Sequence, residues 1–164
     1  MNSNIKNINY KDFYSSKINH LTLSEALDLH YELNPQFTKW SEYGSKLEQN
    51  MMKSHDIMHI IFGCDTSLKS ELRVELFTLF CNNLSLQEYK KIVSNSEVTK
   101  EPLEIAKKVG LFKFFWVLIS HIYYLPYSYY ISLKMTKKLP ILSMDQYLNH
   151  KIGEIRKEFN LPCQ

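Results

Sequence analysis

The chain has 164 residues, 45% of them hydrophobic, and a formal net charge of +3. That length bounds it to one domain with a proper core, and the basic charge is almost all lysine, with only Arg73 and Arg156 as arginines, which excludes the clustered footprint of a nucleic-acid binder. Three cysteines, Cys64, Cys81 and Cys163, form no CxxC pair and follow no secretory leader, a pattern expected of free thiols in a reducing compartment.

Residues 1–20 read as an N-terminal tail, polar and partly disordered, ahead of a helical domain spanning 21–164. Thr22-Leu23-Ser24-Glu25 has the capping-box form, so a helix is expected from there to Leu33, stopping before Asn34-Pro35. His30 on that helix has no acid spaced to join it and reads as a core or surface histidine. Pro35 can start a short helix running to Tyr43. From Ser45 a longer helix is expected to reach Phe62 and end at Gly63, a natural C-cap.

That longer helix carries His55-Asp56-Ile57-Met58-His59, and Glu71 follows after eleven intervening residues. His55 and His59 are four apart and share a face; Asp56 and His59 are three apart and adjoin it. Gly63 and Asp65-Thr66-Ser67 mark a stop and restart, so a second helix should fold back and bring Glu71 over the imidazoles. Two imidazoles and carboxylates suit a divalent cation such as zinc, iron(II) or manganese, with Asp56 either ligating or orienting a histidine. Glu48, two turns back on the same stripe, is a further candidate neighbour, and Glu75 rivals Glu71 on spacing alone.

The helix with Glu71 should be capped by Asp65 or Thr66 and run to Asn82, with Leu68, Leu72, Leu76 and Leu79 as its apolar stripe. Ser85-Leu86-Gln87-Glu88 is a second capping box, expected to open a helix to Ser94, and Pro102 suits the first turn of the next. Leu111 to Leu133 is crowded with phenylalanine, tyrosine and Trp116. Lys113, His121 and Pro126 interrupt it, against the uniformly apolar span of about 20 residues that crosses a bilayer. A buried helix broken near Pro126 is expected; a lipid groove or a membrane-docking surface is the alternative. Lys134, Lys137 and Lys138 follow as a basic cluster. Ser143-Met144-Asp145-Gln146 reads as a third capping box, opening a last helix with Tyr147, Leu148, Ile152 and Ile155 inward. No stretch alternates with period two, so the expected fold is an all-α single domain of about seven helices, with a metal site between two central helices.

The pattern His55-Asp56-x-x-His59, eleven residues, Glu71 resembles the signature of the ubiquinone-biosynthesis family numbered four in the coenzyme Q series. His55 to Gly63 with Ser70-Glu71 looks like that family's central segment, and Met144 to Leu148 with Glu154 to Glu158 like its closing helix. Ser70 stands where the family has glycine, and the family's Leu-Pro-x-Gly-Thr-Leu-Gly segment is not recognisable near Asn34-Pro35-Gln36-Phe37. The resemblance implies metal-dependent oxidative decarboxylation, with C1 hydroxylation, of a prenylated benzoate ring. It implies His55, Asp56, His59 and Glu71 as the metal and catalytic residues, with zinc first and iron or manganese next. Equally it implies a non-catalytic, prenyl-lipid-binding scaffold that organises the biosynthetic complex. The implied partners are a polyprenylated quinone precursor, other quinone-biosynthesis enzymes, a membrane surface met peripherally, and a second copy of the chain. The implied location is the bacterial cytoplasm or inner membrane, or the matrix face in a mitochondrion. No flavin or nicotinamide motif is present. A His-Asp phosphohydrolase would need further ligands at spacings the chain lacks.

Overall fold

The structure, a computed structural model, describes residues 8–85, 87, 88, 110, 116, 119 and 122–162. In chain order these form α1 (Tyr10–Phe13), a 3-10 turn (Ser16–Ile18), α2 (Leu23–Leu33), a 3-10 turn (Trp40–Glu42), α3 (Lys46–Phe62), α4 (Leu68–Cys81), α5 (Tyr124–Lys134), a 3-10 helix (Ile141–Tyr147) and α6 (Ile152–Glu158). There is no strand among the described residues, only the bridges Thr22–Lys151 and Asn82–Leu139. The protein is all-helical, as expected.

α3 is the axis, and α2, α4, α6 and two 3-10 segments pack around it. Its sequence fixes both ends. Ser45 and Glu48 make a reciprocal capping box, which the sequence reading did not pick out, and Gly63 closes the helix at φ 65°. Glu48 therefore serves the N-terminus and not the histidines, two turns away. The C-terminal carbonyls of Ile60 and Ile61 accept from the guanidinium of Arg156 on α6, each at 2.9 Å. Arg156 also donates to Asn19 Oδ1 and to the Ser15 carbonyl. A fully buried cation thus ties the chain's last helix to its first turns.

α2 begins at the predicted Thr22–Glu25 box, with both reciprocal bonds formed. Leu23, Ala26, Leu27 and His30 face inward on one stripe. Its start is clamped to the start of α6: Leu23 N donates to His150 O and Ile152 N to Leu21 O, both at 2.9 Å.

Several expectations are corrected. Pro35 opens no helix, and only Trp40–Glu42 turns, as 3-10. α4 is capped by Ser67, because the Asp65 carboxylate is already occupied by accepting from Ser67 N and Oγ. The inward stripe of α4 is Ser70, Val74, Phe77 and Cys81, not the leucines, and Leu79 is exposed. That stripe packs against α3 and α5, and Phe77 stacks on Phe62 at a centroid distance of 4.2 Å. Ser143 caps nothing: its backbone is non-helical inside a 3-10 segment, and the last α-helix starts at Ile152. In the segment assigned to the tail, Phe13, Tyr14 and Ile18 are buried in the common core.

Ser85 and Glu88 form the expected reciprocal bonds. The helix expected to Ser94 otherwise lies outside the described residues, as does the one expected at Pro102.

Tyr124–Lys134 departs most from expectation. Pro126 sits in the first turn of α5, where its missing N–H costs nothing, and a turn at Ile122 and Tyr123 precedes that helix, close to where the break was expected. Ser128, Ile131 and Ser132 are the buried side, against α4. Tyr123, Tyr129, Tyr130 and Leu133 are exposed, together with Trp116, Ile119 and Ile122. Among the described residues the aromatic stretch is therefore not core. No helix among them is long and apolar enough to cross a membrane.

Candidate metal centre

Helical spacing sets the two imidazoles on one face of α3, with ring centroids 4.8 Å apart. The tight αL turn at Gly63 then sends α4 back alongside, and the Phe62–Phe77 stack pins it there. Glu71, in the first turn of α4, lands over both rings. Its Oε2 lies 3.3 Å from His59 Nε2 and 3.4 Å from His55 Nε2. Among the described residues, His55, His59 and Glu71 form a group whose ligand atoms all lie within 4.8 Å of one another. Glu75, the rival on spacing, reaches only His55, at 4.0 Å, and its side chain is largely exposed.

The tautomer of His59 follows from its neighbours. Its Nδ1 lies 3.0 Å from the carbonyls of both Cys64 and Asp65, and carbonyl oxygens only accept. Nδ1 therefore carries a proton, and Nε2 is the nitrogen turned to the Glu71 carboxylate. Nε2 and the carboxylate oxygen, 3.3 Å apart, have room for either a shared proton or a cation between them.

A metal ion fits that requirement. In a tetrahedral site with Zn–N and Zn–O bonds of about 2.0–2.1 Å, neighbouring donors stand about 3.3–3.4 Å apart. The two Nε2–Oε2 separations, 3.3 and 3.4 Å, match such an edge. His59 is 1% exposed, whereas the His55 and Glu71 side chains are each 27% exposed, so the triad is closed behind His59 and open beside the other two. Three protein donors with one open side are the donor count of a catalytic centre more than of a closed structural one.

Asp56 lies behind His55. Its Oδ1 is 3.6 Å from His55 Nδ1, an ion-pair distance, and its Oδ2 accepts a hydrogen bond from the Tyr31 hydroxyl. Trp40 N donates to the same hydroxyl at 3.1 Å. Placed on the far nitrogen of His55, Asp56 is positioned to orient the ring and raise its basicity, as carboxylates do behind metal-bound histidines.

The charges agree with this layout. Burial drives the Glu71 carboxyl up, yet the two histidines outweigh it and hold the group at about 2. Burial pulls His55 down, but Asp56 and Glu71 overcome that and leave it well above its ordinary value. The site without metal is thus a carboxylate–imidazole cluster holding a proton where a cation would sit. Cys64, near in sequence, has its thiol pushed up to about 11 by burial, which leaves it a poor ligand.

Sequence reasoning missed Tyr31, and it read His30 as a core or surface histidine without foreseeing the acid beside it. His30 is fully buried, 4.0 Å from Asp56 Oδ1, and shares a 3.1 Å hydrogen bond with the Tyr14 hydroxyl. Burial lowers it to about 4, so it stays neutral. The signal was its register: it lies on the inward stripe of α2, where an imidazole needs a polar partner. Nothing in the spacing of Tyr31 connects it to Asp56, twenty-five residues away.

Comparison with protein-family models, with curated proteins and with solved structures gives no match.

Proposed function

We propose that the chain is a metal-dependent protein of ubiquinone biosynthesis, related to the family numbered four, and that His55, His59 and Glu71 hold a divalent ion, zinc first. The observation that carries this reading is the convergence of two histidine Nε2 atoms on one Glu71 oxygen, at 3.4 and 3.3 Å. The motif spacing that brings them together is the one in which the chain resembles that family.

The proposed reaction replaces the C1 carboxyl of a prenylated benzoate ring by hydroxyl and releases carbon dioxide; water supplies the hydroxyl oxygen, and dioxygen takes up the two electrons and two protons and leaves as hydrogen peroxide. When bound, the ion supplies a Lewis acid for the ring carboxylate or a neighbouring phenol oxygen. The protein's own residues do the rest. His59, fixed by two carbonyls, presents Nε2 without rotating; Asp56, held by Tyr31, steadies His55; Glu71 offsets the cation's charge. The exposed side of His55 and Glu71 admits the ring.

The test is incubation of the metal-loaded chain with a prenylated hydroxybenzoate, with and without oxygen, followed by product mass. The expected product has hydroxyl in place of carboxyl, appears only with oxygen, and is lost in His55→Ala and Glu71→Ala. Absence of turnover by a chain holding its full complement of metal overturns the catalytic reading.

A second reading has its own support in α5. Tyr129, Tyr130 and Leu133 stand exposed on a helix whose other side is buried, and Lys134 ends it. Such a face suits a prenyl chain or a bilayer interface, where tyrosine is at home. On this reading the chain is a scaffold that presents the prenylated precursor to other enzymes of the pathway. It is supported if His55→Ala and Glu71→Ala still bind prenyl lipid and still complement a quinone-deficient strain.

A further inference from the structure

A cavity of about 260 Å³ borders the turn that holds His59, between α1 and the first two turns of α4. It shares no ligand atom with the metal triad. Most polar groups lining it are already committed. The Tyr10 hydroxyl accepts from Thr66 N and is bonded to Thr66 Oγ1 at 2.8 Å. The Tyr14 hydroxyl is engaged by Asn34 and His30. The Asp65 carboxylate accepts from Ser67 N at 3.0 Å and from Ser67 Oγ at 2.6 Å.

Two lining groups are left over, and both are cations. Lys11, on α1, makes no ion pair among the described residues. Arg73, on α4, makes none either; its guanidinium lies over the Tyr124 ring at 5.1 Å, and its Nε is buried without an acceptor. A buried N–H without an acceptor is rare and destabilising. The stacked tyrosine covers a face of the guanidinium and leaves its in-plane N–H groups to donate. We infer that this cavity binds a small oxyanion, a carboxylate or a phosphate, between Arg73 and Lys11.

The chemistry selects against the alternatives. The Asp65 carboxylate offsets one of the two positive charges lining the cavity; a neutral ligand leaves the other uncompensated, and a cation adds to it. An oxyanion matches the planar guanidinium fork, while Lys11 adds a point charge from the rim. Small ligands fit the volume, which is below the range of about 300–1,000 Å³ typical of sites for larger organic molecules.

The test uses the full-length chain, stripped of metal, titrated calorimetrically at low salt with inorganic phosphate and separately with benzoate. Saturable binding of either anion is expected, weakening as salt rises. Arg73→Gln should weaken it about tenfold or more, the factor that corresponds to one charge-assisted hydrogen bond. Lys11→Gln, a change at the surface, should weaken it less, and it keeps the test decisive should Arg73→Gln fail to fold. Binding by phosphate alone assigns the site to phosphate groups, and by benzoate alone to carboxylates. Glu71→Gln should bind the anion as the unaltered chain does, so loss of the metal site and loss of this one are separable. If neither anion binds, or if affinity is unchanged in both cation variants, the inference is wrong.

Discussion

The Nε2 of His59 stands 3.3 Å from Glu71 Oε2, while the opposite nitrogen of the same ring is held between two backbone carbonyls at 3.0 Å. The two carbonyls on Nδ1 keep Nε2 turned to the carboxylate. That relation converts a spacing in the sequence into a preorganised donor set, and the expectations below follow from it or from the scaffold that maintains it.

Tyr31→Phe should weaken metal binding about 10–100-fold, the range for loss of an outer partner behind a ligating histidine. The change removes the hydroxyl that holds Asp56 Oδ2 and touches no ligand. Competition titration with a zinc chelator measures it. An unchanged dissociation constant would show that Asp56 needs no Tyr31 to orient His55.

Without metal, stability should peak near pH 6.5 and fall on both sides. His55 is raised in the folded state, so its contribution is complete below about pH 6.5 and is lost as pH rises through its folded value. His30 is lowered from 6.5 to about 4, so its contribution is lost as pH falls across that window, on the order of 3 kcal/mol. Glu71 is lowered from 4.5 to about 2, so a loss of similar size, about 3 kcal/mol, follows between pH 4.5 and 2. Urea unfolding as a function of pH checks the profile, and Glu71→Gln should flatten its most acidic part.

Arg156→Met should destabilise the fold by about 3 kcal/mol or more, because the carbonyls of Ile60 and Ile61 lose a charged donor in a dry place. The loss should appear as a lower urea midpoint at unchanged slope.

α5 offers a paired comparison. Leu133→Ser, at a position 64% exposed, should change stability by no more than about 0.5 kcal/mol. Ile131→Ala, two residues away on the buried side, should cost about 2–5 kcal/mol. Equal costs at the two positions would mean that the outer face is covered. Leu133→Ser combined with Tyr130→Ser should also reduce retention on prenyl-lipid vesicles if that face meets lipid.

Legibility tracked how local the determinants are. α2 was readable to the residue because Thr22, Glu25 and Asn34-Pro35 mark its ends within the chain itself. α3 ended where Gly63 required, and the helix-turn-helix through Gly63 put Glu71 where the spacing implied. The leucines of α4 misled because the face turned to α3 and α5 carries Ser70, Val74, Phe77 and Cys81, and which face is turned inward is set by neighbours distant in sequence. The aromatic residues of α5 misled for the converse reason: hydrophobicity implies burial, yet the serines make the contact with α4. Tyr31 and His30 join the site only through tertiary packing of α2 on α3, which no spacing within either helix encodes.

The metal content of the purified chain tests the central claim most directly. After saturation with zinc and desalting, elemental analysis should find about one ion per chain, consistent with a single three-donor site. Glu71→Ala and His59→Ala, each with its helical content intact, should lose nearly all of it. Retention of the ion by both variants, or none in the unaltered chain, would contradict the account.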